Sequence, residues 1–257
     1  LACCPDSMYN MHLQKVKKFM EENLNQRRIR TAFLCSMGVI AFFLGFIPVI
    51  LGYAAKSLYQ LPMWLQLLIL TFPLQIAYLC AVIIPAKKIQ PEVPLREQLD
   101  LALPRNRLKT YWLVTGGVVI LYPCLSVVTL LNRKLLALLH IKAATQELVT
   151  LIGSADLPSV LVNLSAAVLL APPGEELVFR HAIYQQFVRI SRPAGAACVS
   201  ALLFALSHFN ALTFPALFLL ALFLQFVYVR TKSLTCAIYA HILYNAISVI
   251  LLLLLRF

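Results

Sequence analysis

Ten acidic residues occur in the 257-residue chain, and two of them, Glu175 and Glu176, stand where no loop can solvate them. They lie in Ala171-Pro172-Pro173-Gly174-Glu175-Glu176-Leu177-Val178-Phe179-Arg180, directly against an apolar run. Ionisable groups at membrane depth cost at least about 2.5–3.5 kcal/mol and face a bundle interior. Pro172-Pro173-Gly174 is expected to end one helical stretch and start another. The two carboxylates would then sit in a first turn, where the helix dipole favours negative charge. Glu176 and Arg180 are spaced i, i+4 and can pair on one face. Glu175 points about 100° away around the helix and lacks that partner. One carboxylate is thus neutralised, and the other is left for acid–base chemistry.

His208 and His241 also lie inside apolar runs, whereas His12 and His140 sit in flanking segments. If a helix runs from Glu175 to Ile190 and turns at Ser191-Arg192-Pro193-Ala194-Gly195, the returning stretch from Ala196 reaches His208. Both groups then lie roughly 24 Å from the turn. His241 and Asn245 are one turn apart on one face of the last apolar run, roughly 14 Å from the basic turn at Lys232. The expected result is a buried cluster of Glu175, His208, His241 and Asn245 that opens toward the cytoplasmic side. A lone intramembrane His or Asn is more often a packing residue; the concentration of costly groups in one place argues for a site. His181 reads as a pairing residue without chemistry. No Ser or Cys has an evident base beside it, so activated water is the economical nucleophile. Two His and one Glu (Glu175, His208, His241) would also serve as a zinc site with an open position, although HExxH is absent.

The elements that position these groups must be membrane helices. The chain is 61% apolar and 12% charged, with a mean hydropathy of +0.83, against about 45–50% and 25% in ordinary soluble domains. That composition excludes a soluble globule, a disordered chain and a nucleic-acid module, despite a formal charge of +12. The fold class is all-α, a polytopic transmembrane bundle. Spans of about 20 apolar residues are expected at Thr31–Ala55, Ser57–Ala86, Thr110–Asn132, Leu157 to Ile190 across the Pro-Pro break, twice between Pro193 and Val229, and at Ser233–Leu255. That makes seven. Lys and Arg concentrate before the first span, in the loop after the second, around Arg189 and Arg192, and at Arg230 and Lys232. These places fall on one side of a seven-span arrangement, so the N-terminus is cytoplasmic by the positive-inside rule.

Residues 1–30 form a basic segment in which Met8, Leu13, Val16, Met20 and Leu24 mark an amphipathic surface helix. Residues 31–156 hold the first transmembrane helices and loops, with a leucine-rich interfacial stretch from Arg133. Residues 157–257 form the transmembrane core that carries the cluster. No signal-peptide h-region is visible, and Leu1-Ala2-Cys3-Cys4 faintly resembles a lipidation site. The cysteines show no CxxC spacing and read as reduced packing residues.

Three motifs in order carry a resemblance. EExxxR stands as Glu175-Glu176-Leu177-Val178-Phe179-Arg180, FxxxH as Phe204-Ala205-Leu206-Ser207-His208, and HxxxN as His241-Ile242-Leu243-Tyr244-Asn245. From about Val160 to Ile250 the chain resembles the CAAX-protease and bacteriocin-processing (CPBP, Abi) family of intramembrane proteases, which includes prenyl-protein endopeptidases. His181 departs from it, since members commonly have Gly after the Arg. The resemblance implies a glutamate-dependent endopeptidase: Glu175 and His208 hold and deprotonate water, His241 and Asn245 bind the oxyanion, and Glu176 with Arg180 forms the supporting ion pair. It implies as partners the lipid bilayer and a protein or peptide substrate that is lipidated in the CAAX branch, with no nucleic acid. No cofactor is expected, with zinc the alternative. A bacterial inner membrane is the expected location, with an organellar or ER membrane the other choice. Two other classes stay open: a scaffold or immunity protein that keeps the fold, and a proton-coupled carrier.

Overall fold

A computed structural model describes residues 5–58, 60–141 and 157–256. Among the described residues it contains helices and no strands. We number them α1 (Pro5–Leu58), α2 (Met63–Ile89), α3 (Leu95–Gln98), α4 (Arg107–Leu138), α5 (Leu157–Phe187), α6 (Pro193–Leu206), α7 (Phe214–Thr231) and α8 (Leu234–Arg256). The protein is an all-α integral membrane protein. Five helices, α2, α4, α5, α7 and α8, are long and apolar enough to cross a bilayer. Their outer faces agree: Trp112, Leu113, Ile120 and Leu138 of α4 are each at least 66% exposed. An apolar face of that extent needs a covering medium.

Two of the seven expected spans differ in form. α6 has only 14 residues, about 21 Å of helix against a hydrocarbon core of about 30 Å. The first expected span is the continuation of the basic segment, because α1 is one helix of 54 residues. Between Pro5 and Gly38 no Pro or Gly interrupts it, so the segment follows the axis of the span and does not lie as a separate surface helix. Val16, Met20 and Leu24 remain exposed on it. The stretch at Arg133 belongs to the end of α4; residues 142–156, Leu1 to Cys4 and the side chains of Met8 and Leu13 lie outside the described residues. Of the described cysteines only Cys236 is buried, while Cys35, Cys80, Cys124 and Cys198 face outward.

The largest correction concerns Pro172-Pro173. α5 does not break there. It widens into π-helix over Ser165–Leu170, resumes as α-helix over Ala171–Glu176, and widens again over Leu177–Tyr184. In the first wide stretch the Ala171 N–H reaches back five residues to the Ala166 carbonyl. The next two donors in that register would be Pro172 and Pro173, which have no N–H. The carbonyls of Ala167 and Val168 lose those partners. The Asn245 Nδ2 of α8 donates to the Ala167 oxygen at 2.8 Å. Glu175 and Glu176 are therefore mid-helix, away from any free N-terminus, and the expected dipole support is absent.

The core has two parts. Val178, Phe179, Ala182 and Ile183 of α5 pack with α1, α2, α6 and α7 around fully buried Phe204. Val118 of α4, Leu220 and Leu224 of α7 and Ala240 of α8 form the other. α7 takes part in both. Gly174 brings α5 close to α2: a Cβ there would stand 3.3 Å from the Gln75 carbonyl oxygen and from the Tyr78 Cβ.

Candidate active site

α5 supplies three charged side chains, the adjacent Glu175 and Glu176 and, one turn on, Arg180. Arg180 and Glu176 are buried completely, and the Arg180 Nε lies 3.0 Å from Glu176 Oε2. The expected i, i+4 pair is present. Arg180 also donates to the Ala221 carbonyl of α7 at 3.3 Å, and its guanidinium lies 4.7 Å above the Phe204 ring, a favourable contact for a desolvated cation.

The second Glu176 oxygen has a partner that spacing along the chain does not disclose. His241 Nδ1 donates to Glu176 Oε1 at 2.9 Å. The other ring nitrogen, Nε2, faces Glu175 Oε2 at 3.8 Å. Glu176 therefore joins Arg180 of its own helix to His241 of α8, and His241 stands between two carboxylates. Glu176 is thus committed to Arg180 and His241, while Glu175 lacks the Arg180 contact and meets His241 only at the longer distance.

His208 follows the C-terminus of α6. Its Nδ1 lies 2.7 Å from the Phe204 carbonyl one turn back. A carbonyl oxygen only accepts, so Nδ1 carries a hydrogen and donates it there. Phe204 is the hub of the site, a role the sequence reading did not assign it. Its ring lies 4.7 Å from that of His208, 5.8 Å from His241 and 5.2 Å from Phe179. The signal was present: Phe204 precedes His208 by one helical turn. The turn itself is held by α4, whose Asn132 Nδ2 donates to the Ala211 and Leu212 carbonyls, each at 2.8 Å.

Glu175, His208, His241 and Asn245 all line one cavity of about 620 Å³. Thr129, Asn163, Thr213 and Ser248 extend it toward the end of the bundle where α4 and α8 finish. It thus extends from the cluster away from the basic turns at Arg189–Arg192 and Arg230–Lys232. Among the described residues no group of three His, Cys, Asp or Glu side chains is arranged to hold a metal ion.

His181 is buried and faces the segment between α3 and α4, its Nδ1 3.5 Å from Asp100 Oδ2. It pairs, as expected, at a distance from the cavity. Asp100 also accepts from the Tyr228 hydroxyl at 2.5 Å. Burial alone would push the Asp100 carboxyl up, but the hydrogen bonds with His181 and Tyr228 and the nearby Arg28 charge outweigh it. They hold the carboxyl below the ordinary range.

No curated protein and no solved structure is significantly similar to the chain. Residues 157–247 match the family model of type II CAAX prenyl endopeptidases, Rce1-like. That stretch holds Glu175, Glu176, Arg180, His208, His241 and Asn245. By this match, the part of the chain that builds the cluster is similar to the Rce1-like family of CAAX proteases.

Proposed function

We propose that the protein is an intramembrane endopeptidase that hydrolyses peptide bonds of membrane-associated substrates, CAAX-type prenylated chains among them, with water activated by Glu175 and His208. The observation that carries this reading is that one cavity is lined by Glu175, His208, His241 and Asn245 together. Glu175 takes a proton from a water held against His208 Nε2. The oxygen attacks the scissile carbonyl carbon, and His241 Nε2 and the second Asn245 amide hydrogen donate to the resulting oxyanion. Collapse breaks the C–N bond, and the proton from Glu175 passes to the leaving amine. Such donors act most strongly in a water-poor site whose geometry is already set.

The contacts support the division of roles: Glu176 is held by Arg180 and His241, and Glu175 faces the cavity. The Glu176–His241 bond fixes the ring so that Nε2 points at the reacting region.

The test compares peptide termini in membranes bearing wild-type protein or Glu175→Gln at matched expression. New termini that disappear in the variant are expected. Identical termini in both, in a host that supplies the native partners, would sink the proteolytic reading in favour of a scaffold. His208→Ala and His241→Ala should each lower cleavage by about 10²–10⁴-fold, and a chelator should leave it unchanged.

A further inference from the structure

α1 and α2 pack side by side, and a groove of about 630 Å³ runs between them on the outer face. Each helix gives it one stripe. On α1, Thr31, Cys35 and Val39 follow Arg27 at four-residue intervals. On α2, Ala77, Ala81 and Ile84 lead up to Lys88. Both stripes end in a cation at the same end of the groove, and below the cations the lining is almost wholly apolar. Arg27 and Lys88 are exposed, and neither side chain has a hydrogen-bond or ion-pair partner among the described residues.

From Arg27 to Val39 the stripe spans about 18 Å of helix, close to one leaflet, half of a core of about 30 Å. The groove thus offers two unpaired positive charges at headgroup level and a channel of leaflet depth floored by small residues. A zwitterionic lipid would set its own cation against Arg27 and Lys88. A headgroup with net negative charge satisfies both.

We infer that this groove is a binding site for one anionic glycerophospholipid, its phosphate between Arg27 and Lys88 and an acyl chain between the two stripes. Basic pockets between membrane helices hold acidic headgroups by this physics, each cation near the surface adding about 1 kcal/mol. The site lies apart from the polar cavity and does not depend on its proposed chemistry.

The test uses the full chain in nanodiscs of equal parts phosphatidylglycerol and phosphatidylcholine, released into the gas phase for native mass spectrometry. The wild type should retain one phosphatidylglycerol with a preference of about 30-fold over phosphatidylcholine. Arg27→Ala with Lys88→Ala should abolish that preference while the protein stays folded by circular dichroism. Arg133→Ala with Lys134→Ala, which removes the same charge from the end of α4, should leave it intact. The inference is overturned if the wild type shows no preference, if both double variants lose it equally, or if the groove is covered by a second copy and the species released is a lipid-free dimer. Should Arg27→Ala with Lys88→Ala fail to fold, Ala77→Leu, which fills the groove and keeps both cations, must still reduce retention.

Discussion

Glu176 accepts from His241 with one oxygen and faces Arg180 with the other, so its removal has two separable effects. Glu176→Ala leaves a buried guanidinium unpaired, a change worth about 3–5 kcal/mol, and frees the His241 ring. Thermal unfolding in detergent should show a large fall in Tm. Adding Arg180→Met removes the orphaned charge and should recover much of the stability but none of the cleavage, since His241 is still unoriented. Recovery of both would show that Glu176 serves only the ion pair. Phe204 acts on the same groups by packing: Phe204→Leu should lower kcat more than it raises KM, because both imidazoles rest on its ring.

At the scale of the helix, α5 and α8 depend on each other through Ala167. Asn245→Ala should destabilise by about 1–3 kcal/mol through the unmet carbonyl. In a Pro172→Ala background the restored N–H can reach that carbonyl, so the same substitution should cost less. A double-mutant cycle on unfolding free energies measures the coupling; strict additivity would refute the assignment. This link shows where sequence reasoning runs out. The helical character, the i, i+4 pair of Glu176 with Arg180 and the four cavity-lining polar groups were legible, since each follows from hydropathy or spacing. The continuity of α5 was not, because rules for Pro inside helices assume the α register, and π register moves the missing donor one position along. Nor was the Glu176–His241 bond, made across 65 positions by two helices whose rotation about their axes composition does not set.

Across the whole molecule, the segment from Gln90 to Asn106 ties the basic end together. Arg28 of α1 donates to the Gln98 carbonyl, Leu234 N–H to the Asp100 carbonyl and Ser233 Oγ to the Ala102 carbonyl, while Asp100 takes the Tyr228 hydroxyl. The Asp100 carboxyl is held below its unfolded value. Its contribution to stability is therefore complete above the ordinary carboxylate range and fades as pH falls through the lowered folded value. Wild-type Tm should drop on acidification in that window. Asp100→Asn should start lower at neutral pH and show a shallower drop; parallel curves would mean that Asp100 is not the titrating group. The Asn245–Ala167 bond also has a consequence for biosynthesis. During synthesis α5 emerges with two carboxylates, a guanidinium and an unmet carbonyl, and two of the groups that complete it, His241 and Asn245, are translated after it. A nascent chain halted before α8 thus presents the insertion machinery with a polar helix still waiting for its partner, and docking of α8 brings the Ala167 carbonyl its donor and assembles the cluster in one event.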